Sequence, residues 1–202
     1  MNNAPGNRPI RRVLAIGGLV GPAAFVGAWT TAGLRTRGYS PVSDAISDLA
    51  AIGASTRALM TTGFVVDGIG LTAFGLALRS ALDGPAWIAA VITGVATLAV
   101  AAAPLGGGLG DGAHATMAGL AYASISAAPL LSAGPFRRGG RPGWSRASVA
   151  TSVISAGALV ASTAGPAHGF WQRLGLTVGD AWIVGIAMLI LASRLPTATP
   201  RD

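Results

Sequence analysis

Residues 13–34 read Val-Leu-Ala-Ile-Gly-Gly-Leu-Val-Gly-Pro-Ala-Ala-Phe-Val-Gly-Ala-Trp-Thr-Thr-Ala-Gly-Leu, an uncharged run that follows Arg8, Arg11 and Arg12. A helix needs about 20 mostly apolar residues to cross a hydrocarbon core of roughly 30 Å, where every backbone N–H and C=O must be satisfied within the segment. This run qualifies. A basic patch ahead of an apolar run is also the pattern of a cleaved signal peptide. Here the run is long and further apolar segments follow, so it is read as a first span.

Five more segments extend the pattern: 58–78, 87–104, 113–133, 148–165 and 180–195, the last extendable upstream through Leu174 to Val178. The expected fold is all-α, an integral membrane bundle of six transmembrane helices over residues 13–195, with a basic N-terminus (1–12) and a short tail (196–202). The glycine-rich stretch 105–112 supplies the reversal between the third and fourth spans. With the N-terminus in the cytoplasm, Arg8, Arg11, Arg12, Arg79, Arg137, Arg138, Arg141, Arg146, Arg194 and Arg201 lie inside, against Arg35, Arg37, Arg57 and Arg173 outside. The excess of arginine in short loops favours both termini in the cytoplasm of a cell carrying this protein in its inner membrane.

The composition agrees. Of 202 residues 51% are hydrophobic and 30 are Gly, while Arg supplies all 14 basic side chains and Asp all 7 acidic ones, too few to clothe a water-facing surface. The absence of Lys and Glu suggests a high-GC genome. A net charge of +7 raises the question of nucleic acid, but the arginines form short clusters between apolar runs and no basic reading face exists, so none is expected as a partner. With no Cys there is no thiolate nucleophile and no Cys-ligated metal. Small residues crowd the spans, which favours close helix packing and a compact bundle.

In the first outer loop, Ser43 can cap a short helix and Gly53 can end it, with Ile46, Leu49 and Ala50 on one face lying along the membrane interface. The run Tyr39-Ser-Pro-Val-Ser-Asp-Ala-Ile-Ser-Asp-Leu-Ala, with Arg57-Ala-Leu-Met-Thr-Thr-Gly-Phe after it, resembles the bacterial six-helix membrane family catalogued as domain of unknown function 998. The resemblance covers most of the chain, including His114 at the start of the fourth span and Gly169 to Arg173 before the last. It implies a fold and no reaction. Asp67 departs from the usual uncharged second span of such proteins.

Asp67 is the tenth of 21 residues in its span, close to the bilayer midplane. A charged group there costs about 2.5–3.5 kcal/mol on insertion scales, so it faces a cavity or a partner. A protonated Asp there suits a general acid acting on an alkene, epoxide or carbonyl. A hydrogen bond from Asp67 to a Ser or Thr of a neighbouring helix is the structural alternative. Asp44, Asp48, Asp111, His114, His168, Arg173 and Asp180 fall on or near the outer face, with Asp83 and Asp202 inside. Asp44 and Asp48, four apart, would share a helix face, and Asp111, three before His114, could orient its imidazole. Capping by Asp44 and Asp111, and pairing of Asp48 with Arg57 or Arg173, would explain the same residues structurally. Tyr122, eight residues after His114, shares its face and could line the same cavity.

His114, His168 and one Asp could form a His-His-Asp zinc site, but no tight ligand motif is present, and no metal or other cofactor is expected. Neither a Gly-x-Ser-x-Gly elbow nor a Walker loop occurs. Trp29, Trp87, Trp171 and Trp182 near span ends fit an aromatic belt. The leading expectation is therefore a membrane enzyme acting on an apolar isoprenoid, polyketide or lipid-like substrate. Asp67, His114, Asp44, Asp48 and His168 would catalyse by acid–base chemistry, as in a cyclisation or isomerisation, and Tyr122, Arg173 and Asp111 would bind substrate. A proton-coupled transporter in which Asp67 cycles its proton lacks an inverted repeat to support it. A non-catalytic component binding lipid or a partner protein is the third possibility.

Overall fold

The computed structural model describes residues 7–195, so the tail 196–202, with Arg201 and Asp202, lies outside the described residues. Six helices follow one another: α1 (Asn7–Arg35), α2 (Arg57–Arg79), α3 (Ala86–Ala102), α4 (Gly110–Arg138), α5 (Pro142–Ala161) and α6 (His168–Leu191). A short 3-10 helix, Ile46–Ala50, lies between α1 and α2. Among the described residues there is no strand. The helices α1, α2, α4 and α6 are long and apolar enough to cross a membrane, and α3 is apolar but shorter.

Each helix packs on the next and α6 returns to α1, closing a ring. Short connections such as residues 80–85 and 139–141 leave successive helices no choice but to run side by side. Small residues set how closely they approach. A Cβ added to Gly17 would strike the backbone oxygen of Gly70, and one added to Gly70 the backbone oxygen of Gly17, so α1 and α2 touch main chain to main chain. The interior at one end is filled by Leu71, Phe74, Phe136, Ile186 and Ile190. Phe74 meets the Trp182 ring edge-on at 6.5 Å between centroids.

Three expectations change. The last helix begins at His168, twelve residues before Asp180, which places Asp180 midway along α6 and not at its start. Trp182 is buried and its Nε1 donates to Ser148 Oγ at 2.9 Å, so it belongs to the core and not to an aromatic belt. The outer-loop helix is one short 3-10 segment that starts after Ala45, whose N–H donates to Asp48 Oδ2. Ser43 instead donates its hydroxyl to Asp44 Oδ1. Ile46, Leu49 and Ala50 do share a face, and it is buried against α1 and α2 with Phe25, Met60 and Phe64.

Candidate functional site

Inside the ring lies a cavity of about 40 Å³, room for roughly three water molecules. Its wall is mostly apolar, with Phe25 from α1, Phe64 and Leu71 from α2, Val100 from α3, Ile125 from α4 and Leu176 from α6. Into it come Asp67 from α2, Asp180 and Gln172 from α6, Thr93 and Thr97 from α3, Tyr122 from α4, and Ser47 from the short helix between α1 and α2. A few polar groups converging in an apolar hollow is the usual composition of a ligand site.

The two carboxyls define its middle. Asp67 and Asp180 are each 4% exposed, and Asp67 Oδ1 and Asp180 Oδ2 have no hydrogen-bond partner. Both residues line the cavity, and buried polar groups are nearly always hydrogen-bonded, so two carboxyls left short of partners here are exceptional. The α1 backbone is pressed against this point: a Cβ on Gly21 would lie 3.0 Å from Asp67 Oδ1. Thr93 and Thr97, the hydroxyls of the adjacent helix, donate to the carbonyls of Ala89 and Thr93 in their own helix, so they do not quench the carboxyls.

Tyr122 and Gln172 form a second element. Gln172 Oε1 accepts from the Ile46 N–H at 2.8 Å while its Nε2 donates to the Tyr122 hydroxyl. The phenol oxygen is thereby occupied as an acceptor and its own hydrogen remains available to the cavity. The third element is His114, 5% exposed, whose Nδ1 lies 2.7 Å from the Ala103 carbonyl and whose Nε2 lies 2.9 Å from Ser47 Oγ. Asp111 does not orient this imidazole; its Oδ1 accepts from the Gly106 N–H at 2.8 Å in the turn before α4.

Arg173, Tyr39, Asp44 and Asp48 hold the loop between α1 and α2. Arg173 Nη1 donates to the carbonyls of Pro41, Asp44 and Gly169, its Nη2 donates to the Tyr39 hydroxyl, and its guanidinium lies over the Trp29 ring at 5.2 Å. Burial raises the Tyr39 phenol above its ordinary range, opposed by the charge of Arg173. Asp44 accepts from the Ser40 N–H and the Ser43 hydroxyl, which hold its carboxyl below the usual range, helped by His168 and Arg173 nearby. Asp44 precedes the short helix and Asp48 closes its first turn, so the two carboxylates serve separate backbone groups. Neither they nor Asp111, His168 or Arg173 line the cavity. Among the described residues no three His or Asp side chains gather closely enough to hold a metal ion, so a His-His-Asp set around His114 and His168 is not assembled.

The cavity, the carboxyls and the Gly169-to-Arg173 clamp all fall within the part of the chain, residues 19–189, that matches the model of the family described as "Protein of unknown function (DUF998)". The chain belongs to this family. No curated protein and no solved structure matches it. In this DUF998 protein, residue-level reading singled out Asp67 and Tyr122, which line one hollow, and His114, which meets it only through Ser47. It missed Asp180 and Ser47. Asp180 was obscured because polar Gln172 and Arg173 interrupt the hydropathy of α6, whereas Ser47 gains meaning only through contact with His114, far along the chain.

Proposed function

We propose that this DUF998 protein is a six-span membrane enzyme whose Asp67 and Asp180 carry out acid–base chemistry on an apolar substrate, in the manner of a cyclisation or isomerisation. Six spans are supported by the outward faces of the two less apolar helices. Ile88, Ile92 and Val95 on α3, and Val149, Val153, Ile154 and Val160 on α5, are exposed at the bundle surface, where lipid would cover them. The 20 residues of α5 reach about 30 Å, the thickness of the hydrocarbon core, and the 17 of α3 about 26 Å, at the short end of the lengths that span one. The arginine distribution supports both termini in the cytoplasm, with the loop that roofs the cavity on the opposite side.

The observation that carries the reading is a pair of buried carboxyls lining one cavity, each with an oxygen that has no hydrogen-bond partner. No arginine lines that cavity, so one proton held between the pair leaves a single charge and presents an acid and a base to the same space. A proton given by Asp67 to one carbon or oxygen of a substrate, and another taken by Asp180 from a neighbouring carbon, changes neither mass nor redox state. The product is an isomer. Apolar walls keep water from a cationic intermediate. In the closed ring the hollow holds only water-sized space, so a substrate enters as the outer loop lifts or as helices part.

The test compares extracts of a deletion strain complemented with the wild-type gene, Asp67→Asn or Asp180→Asn by untargeted mass spectrometry. Both variants are expected to accumulate a compound that the wild type converts to a product of equal mass. Extracts that match across all three strains overturn the enzymatic reading and leave a binding role.

A further inference from the structure

The outer end of the cavity carries a second kind of chemistry that the carboxyl pair does not use. A carbonyl oxygen only accepts hydrogen bonds, so the Ala103 carbonyl at 2.7 Å fixes the hydrogen of the neutral His114 ring on Nδ1. Nε2 is then the acceptor and takes the hydroxyl hydrogen of Ser47 at 2.9 Å. A hydroxyl bonded to an imidazole that is itself oriented from its far side is the arrangement by which serine is made nucleophilic, here with a backbone carbonyl in the orienting place. Ser47 is 8% exposed and lines the cavity. The chain has no nucleophile-elbow motif, so the pairing arises wholly from the short outer helix docking on the start of α4.

We infer that Ser47 and His114 form a nucleophile–base pair that cleaves esters of apolar acyl chains. Ser47 Oγ adds to the ester carbonyl carbon while its proton passes to His114 Nε2. The C–O bond to the alcohol breaks, the alcohol leaves with that proton, and the acyl group stays on Ser47. Water, deprotonated by the same nitrogen, then releases the carboxylic acid and restores the serine. The Tyr122 hydroxyl faces the same cavity with its hydrogen uncommitted, and Gln172 holds its oxygen from the residue next to the nucleophile, Ile46. It is the donor available to the developing oxyanion. The chain of Phe25, Phe64 and Leu176 receives the acyl tail. Neither Asp67 nor Asp180 takes part, so this inference stands apart from the acid–base reading.

The experiment treats purified full-length protein in detergent with an alkyl fluorophosphonate and locates the adduct by mass spectrometry of peptides. Wild type is expected to carry it on Ser47, Ser47→Ala to lose it, and His114→Asn to acquire it on the order of 100-fold more slowly, the usual reach of a general base. No adduct on Ser47 of the wild type, or equal rates in His114→Asn, overturns the inference. Should His114→Asn fail to fold, wild type decides alone by comparison before and after heat denaturation: label confined to the native protein is expected, and label equal in both states overturns the pair.

Discussion

Arg173 and the Asp67–Asp180 pair are buried ionisable groups on adjoining parts of one bundle, and they are treated in opposite ways. The guanidinium of Arg173 is met by three carbonyls, a phenol and an indole face, with only its Nε left unpartnered. Each carboxyl is instead left with one oxygen that nothing satisfies, beside a cavity. A saturated buried charge holds structure, because removing it strands its partners. An unsaturated one costs stability, and proteins retain such groups where function needs them. The same chain thus separates a layer in which a buried charge is almost fully met from a middle in which two carboxyls are not.

The largest expected effect lies on the attachment side. Arg173→Met strands the carbonyls of Pro41, Asp44 and Gly169 and should destabilise the protein by about 3 kcal/mol or more, since hydrogen bonds to charged groups contribute roughly 1.5–3 kcal/mol each. Thermal unfolding in detergent, followed by tryptophan fluorescence, measures it, and Trp29 beside Arg173 makes the signal local. Arg173→Lys should recover only part, because an ammonium cannot span the fork that reaches both the carbonyls and Tyr39. A smaller loss, about 1–3 kcal/mol, is expected from Gly169→Ala. Its new Cβ would collide with the Asp44 backbone oxygen and push the loop from α6.

The carboxyl side should respond with the opposite sign. Asp67→Asn and Asp180→Asn are expected to leave stability unchanged or raise it, by up to about 1 kcal/mol, while abolishing the conversion that the extract comparison is designed to detect. If either variant unfolds as readily as Arg173→Met, that carboxyl is a structural member of the bundle and the contrast between the two regions collapses.

The membrane-helix pattern was legible because hydropathy over about 20 residues is a property of single segments. The four long apolar helices coincide with segments marked out by composition. What escaped is tertiary. Gln172 and Arg173 depress the hydropathy of α6, and their burial makes sense only once the loop 36–56 lies across them, so the start of the helix was placed too late and Asp180 too far out. Asp67 was legible as an intramembrane carboxyl by cost alone. Its companion was not, because nothing in the spacing of α2 and α6 along the chain states that they share a cavity. Asp111 and His114 show the reverse error: three residues apart at a helix start, they suggested an ion-oriented imidazole, yet their partners come from Gly106, Ala103 and Ser47.

The smallest effect concerns Asp44, on the loop that Arg173 anchors. Its carboxylate accepts from the Ser40 N–H and the Ser43 hydroxyl, so the folded protein favours the charged form and holds the group below its usual range. A carboxyl lowered on folding stabilises above its unfolded pKa, about 3.9. That contribution disappears as the pH falls through the lower value of the folded protein. The thermal midpoint of wild type should therefore fall more steeply below about pH 4 than that of Asp44→Asn, with the two curves parallel at pH 6–7. The difference stays small because the group is partly open to solvent and its charge is screened. Parallel curves down to low pH would mean that the loop is held from α6 alone, through Arg173 and Gln172, and that the Asp44 turn merely rides on that attachment.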